Sequence, residues 1–284
     1  MILVTGSTGK VGLALIDALS AARAPFKALA RSDTSAQSLA AKGVQVVRGD
    51  LGDRVAYQSA LGGVDRLFLL SSAPHCSELE LPAIQDARAS GVRHVVKLSA
   101  LGTEADSSNP LFREHARVER ALEESGLTFT ILRPTFFMQN WVAFYSHAVK
   151  AGQPVYVNAG NARLGWIDTR DIAAVAAAAL TGTGHEGRIY DLTGPAPFSY
   201  AEVAEKLSAL LERKVAYVAV PDAAAYQAMT GMGMDPWYAY GMVVLNQQVR
   251  RGQADVTTGT VELVTGKPPR SLDAFLQETL SSFK

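Results

Sequence analysis

Gly6, Gly9 and Gly12 stand directly behind the apolar run Ile2-Leu3-Val4. Val11, Leu15, Ile16 and Leu19 then follow at helical spacing. Glycines placed this way let a strand bend sharply into a helix, with no side chain between its amides and an anion. Gly6 permits the bend, Gly9 lets the backbone approach a phosphate, and Gly12 lets the helix pack closely on the strand. The helix start supplies N–H donors and the positive end of a dipole. A bare structural turn is the alternative. The placement between a strand and a helix favours a nucleotide pyrophosphate.

Other residues fit the same ligand. Arg31 ends the second strand-like run, where an NAD site carries Asp or Glu on the ribose. A guanidinium there suits a 2′-phosphate, so NADP is the expected cofactor, NAD is less favoured, and a solvated loop charge is the plain reading. Lys10 adds positive charge inside the turn. Asp33 argues the other way unless it caps the next helix. Asp50 is placed to reach adenine. Ser71, Ser72 and Ser99 lie at strand C-terminal ends, where open α/β sheets hold ligands. His115 and Glu119 sit one helical turn apart. A carboxylate beside an imidazole favours its protonated form, which makes His115 a candidate proton donor. A surface pair that only orders the helix is the rival reading.

Strand-like runs at residues 2–5, 26–30, 44–47, 65–70, 94–98 and 128–132 alternate with helical patterns at 11–22, 34–42, 80–90 and 112–125. That alternation predicts an α/β fold, a Rossmann-like doubly wound parallel sheet. The expected division is a nucleotide-binding domain over 1–150, with the chain returning to it near 165–190, and a smaller substrate lobe over 151–284.

Bulk properties narrow the function. The 284 residues carry 27 basic and 27 acidic side chains, so nothing asks for nucleic acid or an anionic membrane as partner. Cys76 is the single cysteine, which excludes an internal disulfide and suits a reducing, cytoplasmic compartment. No secretory leader is legible at the start. The apolar stretch over 172–180 is too short to span a membrane and reads as a core helix. The five histidines lack metal-ligand spacing, so no metal is expected. There is neither a Gly-x-Ser-x-Gly elbow nor a Gly-Lys-Ser/Thr ending to the glycine turn, which argues against an esterase and a P-loop ATPase.

The stretch Thr5-Gly6-Ser7-Thr8-Gly9-Lys10-Val11-Gly12, with Arg31 and Gly49-Asp50-Leu51, resembles the NmrA-like group of atypical short-chain dehydrogenase/reductases. Residues 115–140 ("HARVERALEESGLTFTILRPTFFMQN") and the later segments "YDLTGPAPFSYAEVAEKLSALLERKVAY" and "TGKPPRSLDAFLQE" are similar to that group as well. Within it the likeness is greatest to the quinone reductase and triphenylmethane reductase type. The resemblance implies an NADP-linked reductase with cofactor contacts at Ser7, Thr8, Lys10, Val11 and Leu51. It also implies contacts from the loop Thr135, Phe136, Phe137, Met138, Gln139 and Asn140. Monomers and homodimers both occur in the group. The wider superfamily's Tyr-x-x-x-Lys is replaced here by His115-Ala116-Arg117-Val118-Glu119. That loss suits a quinone, which accepts hydride and then takes a proton from water.

On the substrate side, Phe136, Phe137, Trp141 and Trp166 are candidates to wall a flat pocket, with ordinary core packing as the rival. Arg170 is a candidate for a cofactor phosphate or the pocket, or for a plain salt bridge. Met229, Met232, Met234 and Met242, interleaved with Trp237, Tyr238 and Tyr240, suggest either an adaptable lid or a buried helix pair. The expected function is an NADPH-dependent reductase of a quinone or similar flat, electron-poor small molecule. A non-catalytic NADP-binding redox sensor is the alternative, and an isomerase- or epimerase-like protein that keeps its cofactor bound is a third.

Overall fold

The computed structural model describes residues 1–71 and 74–284. Ser72 lies outside the described residues. The chain forms two compact units. The first comprises Met1–Ser107, Phe112–Pro134 and Thr169–Asp191, and the second Ser108–Leu111, Thr135–Asp168 and Leu192–Lys284. The chain thus leaves the first unit after Pro134 and returns to it at Thr169–Asp191.

The first unit opens with β1 (Ile2–Val4), α1 (Lys10–Ala21), β2 (Phe26–Ala30), α2 (Asp33–Ala40) and β3 (Gln45–Arg48). It continues with α3 (Arg54–Ala60), β4 (Arg66–Leu69), α4 (Cys76–Ala89), β5 (His94–Leu98), α5 (Pro110–Glu124) and β6 (Thr128–Pro134). Beyond it lie a π-helical turn (Trp141–Tyr145), α6 (Ser146–Lys150), β7 (Val155–Val157) and β8 (Arg163–Leu164). Helix α7 (Thr169–Thr181) and β9 (Arg188–Leu192) return to the first unit's sheet, whose strand order is β3-β2-β1-β4-β5-β6-β9. The pairings from β3 through β6 are parallel.

The strands are apolar because helices cover both faces. Leu3, Leu67, Leu69, Val95 and Ile131 pack with Tyr57, Ile84, Ala87, Val118 and Leu122 from α3, α4 and α5. Helices α1 and α7 pack together, and α7 also meets β4, β5 and β6. The order reverses between β1 and β4, so the turn after β1 lies at the switch point where such sheets bind nucleotides.

The second unit adds β10 (Phe198–Ser199), α8 (Tyr200–Leu211), β11 (Tyr217–Ala219), α9 (Asp222–Gly231), α10 (Pro236–Arg250), α11 (Thr260–Thr265) and α12 (Leu272–Glu278). Its core is aromatic. Trp141, Trp166 and Tyr200 meet edge-on or tilted, with ring centroids 5.1–6.1 Å apart. The methionine-rich stretch breaks between α9 and α10. Helix α9 buries none of its side chains, whereas α10 buries Ala239, Val243, Val244 and Val249. The buried-pair expectation thus describes α10 alone.

Candidate nucleotide site and its neighbours

The glycine turn is built as its spacing demands, with one difference. Gly6 has φ +59°, and a Cβ there would lie 2.7 Å from Leu70 Cγ. A Cβ on Gly12 would lie 2.1 Å from the Gly6 carbonyl oxygen. Gly12 therefore lets α1 close on the turn itself rather than on the strand. The Gly9 N–H donates to Gly6 O at 3.0 Å, and α1 starts from Gly9 without a side-chain cap. The Leu70 N–H donates to Thr5 Oγ1 at 2.9 Å, tying the turn to the end of β4. Ser7 Oγ donates to Leu29 O at 2.5 Å, tying it to the end of β2. The Ser7 hydroxyl and the buried Val11 side chain thus serve the turn's own structure. Thr8, Gly9 and Lys10 are exposed along it, and partial burial lowers the Lys10 ammonium pKa. This turn, with no Cβ at Gly6, Gly9 or Gly12, fits a pyrophosphate.

Arg31 leaves the C-terminal end of β2, exposed, and makes no ion pair among the described residues. Ser32, not Asp33, caps α2, accepting from the Ser35 N–H at 3.1 Å. Asp33 lies in the helix's first turn and pairs with Arg48 at 2.7 Å. Asp50 Oδ1 accepts from the N–H groups of Gly52 (2.7 Å) and Asp53 (2.9 Å), shaping the turn into α3, and Leu51 is half-buried beside it.

Two buried networks follow β4 and β5. Ser71 donates through its N–H (2.9 Å) and its hydroxyl (2.8 Å) to Glu80 Oε1. Glu80 Oε2 lies 2.6 Å from Lys97 Nζ, and both side chains are excluded from solvent. Ser99 Oγ donates to Glu119 Oε1 at 2.5 Å. Arg133 Nε donates to the same oxygen at 3.0 Å, and its Nη2 donates to Glu119 Oε2.

Glu119 is therefore not the partner of His115. The two share a helical face in sequence, yet the carboxylate is taken up by Ser99 and Arg133. His115 Nδ1 lies 3.8 Å from Cys76 Sγ. Burial and the nearby Lys97 charge hold the imidazole well below its ordinary pKa. The ring is neutral near pH 7, which weighs against an imidazolium donor. Burial also pushes the Cys76 thiol up to about 12, which makes it a poor nucleophile.

In the second unit, the Thr135 N–H donates to Leu192 O at 3.0 Å and its hydroxyl to Gly165 O. Phe136 O accepts from the Ile167 N–H at 2.9 Å, and the Met138 N–H donates to Ile167 O at 2.8 Å. Gln139 Nε2 donates to Asp168 Oδ1 at 2.8 Å. Phe137, Gln139 and Asn140 keep partial exposure, whereas the Met138 side chain is fully buried. Trp141 and Trp166 are also fully buried, and Trp166 Nε1 donates to Phe198 O at 2.8 Å. Both fill the unit's core, as the core-packing alternative to a pocket wall has it. Arg170 lies in the first turn of α7, in the first unit.

The NmrA-like family profile matches residues 1–272. The chain belongs to the NmrA-like family. Among its relatives, an NAD(P)H azoreductase of Xenophilus azovorans is 39% identical, across 100% of this chain and 99% of that protein. A (4-alkanoyl-5-oxo-2,5-dihydrofuran-3-yl)methyl phosphate reductase of Streptomyces griseus subsp. griseus is 36% identical, across 100% and 99%. The solved NADPH complex of an Escherichia coli NADPH-dependent quinone oxidoreductase superposes with a TM-score of 0.88 at 28% identity, across 99% of this chain and 100% of that one. Among the described residues of this NmrA-like chain, no helix is long and apolar enough to cross a membrane, and no cluster of three His, Cys, Asp or Glu could hold a metal.

Proposed function

We propose that the chain is an NADPH-dependent reductase that delivers hydride to a quinone or a similarly flat, electron-poor acceptor in the cytoplasm. The observation that carries this reading is the turn from Gly6 to Gly12, which lacks Cβ atoms at Gly6, Gly9 and Gly12 and is anchored to the ends of β2 and β4, with Arg31 exposed at the end of β2. The family relatives named for reduction of azo, furanone and quinone compounds support it.

In this reading the amides at the start of α1 hold the pyrophosphate, with Thr8 and Lys10 beside it. Arg31 takes the 2′-phosphate, and Asp50 with Leu51 borders the adenine. Ser71 and Ser99 mark strand ends beside the nucleotide, their N–H groups and hydroxyls already spent on Glu80, Leu132 O and Glu119. The loop of Thr135, Phe137, Gln139 and Asn140 is the second unit's contribution that the family resemblance implies, and Arg170 contributes positive charge. The bound nucleotide supplies the hydride. The chain's own work is to orient the two planes and to exclude competing reactions. Neutral His115 gives no strong acid, and a reduced quinone needs none.

The test is NADPH oxidation by the purified chain across a panel of benzoquinones and naphthoquinones. Turnover supports the reading. Tight NADPH binding with no turnover on any acceptor would replace it with a nucleotide-sensing role.

A further inference from the structure

Asp33 poses a problem for an NADPH site. It stands two residues beyond Arg31, in the first turn of α2, with its side chain 80% exposed. A carboxylate there suits the helix, because it faces the positive end of the dipole. It also opposes any dianion that Arg31 would hold.

The sheet brings the answer from the next strand. Arg48 is the last residue of β3 and stands in register with Ala30, the last residue of β2. The Gly49 N–H donates to Ala30 O at 3.0 Å, which fixes the two strand ends together. From there Arg48 Nε reaches Asp33 Oδ1 at 2.7 Å. Arg31, Asp33 and Arg48 together carry one net positive charge at the strand ends; without Arg48 the charge is zero. The glycine turn is tied to the same edge through the Ser7 bond to Leu29 O.

We propose that Arg48 determines nucleotide specificity by neutralising Asp33, so that Arg31 meets the 2′-phosphate of NADPH unopposed. The inference rests on the NADPH reading above and adds a residue to it. NADH lacks that phosphate, so its binding depends much less on Arg48.

The test is a set of dissociation constants for NADPH and NADH, measured by nucleotide fluorescence at low salt. The proteins are wild type, Arg48→Met, Asp33→Asn and the double variant. Met keeps the apolar stem of Arg48, and the pair is exposed, so folding is preserved. Arg48→Met is expected to weaken NADPH about five- to tenfold and to change NADH by less than about twofold, as befits exposed, screened charges. Adding Asp33→Asn to Arg48→Met should restore NADPH binding to within about twofold of wild type, because the opposing charge is gone. A double variant as weak as Arg48→Met would overturn the proposal, since Arg48 would then act without Asp33. Equal losses for NADPH and NADH would overturn it too. Wild-type protein that binds neither nucleotide would sink the reductase reading first, and this inference with it.

Discussion

Arg133 grips Glu119 with two donors, Nε to Oε1 at 3.0 Å and Nη2 to Oε2. This pairing removes the carboxylate from His115 and leaves the histidine without the neighbour that would have charged it. A positioned general acid is worth about 10²–10⁴-fold in rate. His115→Ala is therefore expected to keep quinone turnover within about fivefold of wild type, well short of that range. Steady-state kinetics decide the point, and a hundredfold fall would restore His115 as a proton donor.

The depressed imidazole pKa has a consequence for stability. In the unfolded chain a histidine takes up a proton below about pH 6.5, whereas folded His115 resists it. The unfolded state then binds more protons, so stability falls as pH drops below that value. His94, likewise lowered by burial, adds to the same slope. Urea midpoints between neutral and mildly acidic pH should show the decline, and His115→Gln should make it shallower. An unchanged slope would contradict the assignment.

Lys97 and Glu80 form a fully buried pair, and each needs the other. Lys97→Met alone should destabilise the chain by about 3–5 kcal/mol, because it strands a buried carboxylate. Lys97→Met combined with Glu80→Leu should recover part of that loss. Chemical denaturation of the three proteins measures both numbers. Additive losses would show that the pair is not coupled.

Gly12→Ala places a methyl group 2.1 Å from the Gly6 carbonyl, against backbone that cannot step aside. Nucleotide affinity should fall by more than about tenfold, given the usual cost of overpacking. Gly231→Ala, where a Cβ meets nothing within 4 Å, serves as the control and should bind as wild type does.

Much of this architecture was legible in the residues. Strands buried on both faces must be continuous apolar runs, and the helices between them end in Gly43, Gly91 and Gly126, all at positive φ. The short helix α3 was missed, because it follows at once on the polar turn at Asp50 and Asp53 and carries little apolar periodicity. The division into compact units after Pro134 was not legible, because residues 135–150 show no break in composition after β6. Trp141 and Trp166 illustrate a harder limit: an aromatic residue looks the same in a chain whether it walls a cleft or fills a core. The Lys97–Glu80 and Arg48–Asp33 pairs join residues far apart in sequence, and only the folded sheet brings them together. The single clue was a lysine inside the otherwise apolar run over 95–98.

The most direct measurement is a calorimetric titration of the unmodified chain with NADPH. The account predicts saturable binding of about one nucleotide per chain, with NADH bound more weakly by at least about tenfold for want of the 2′-phosphate. Absence of binding, or NADH bound as tightly as NADPH, would contradict it.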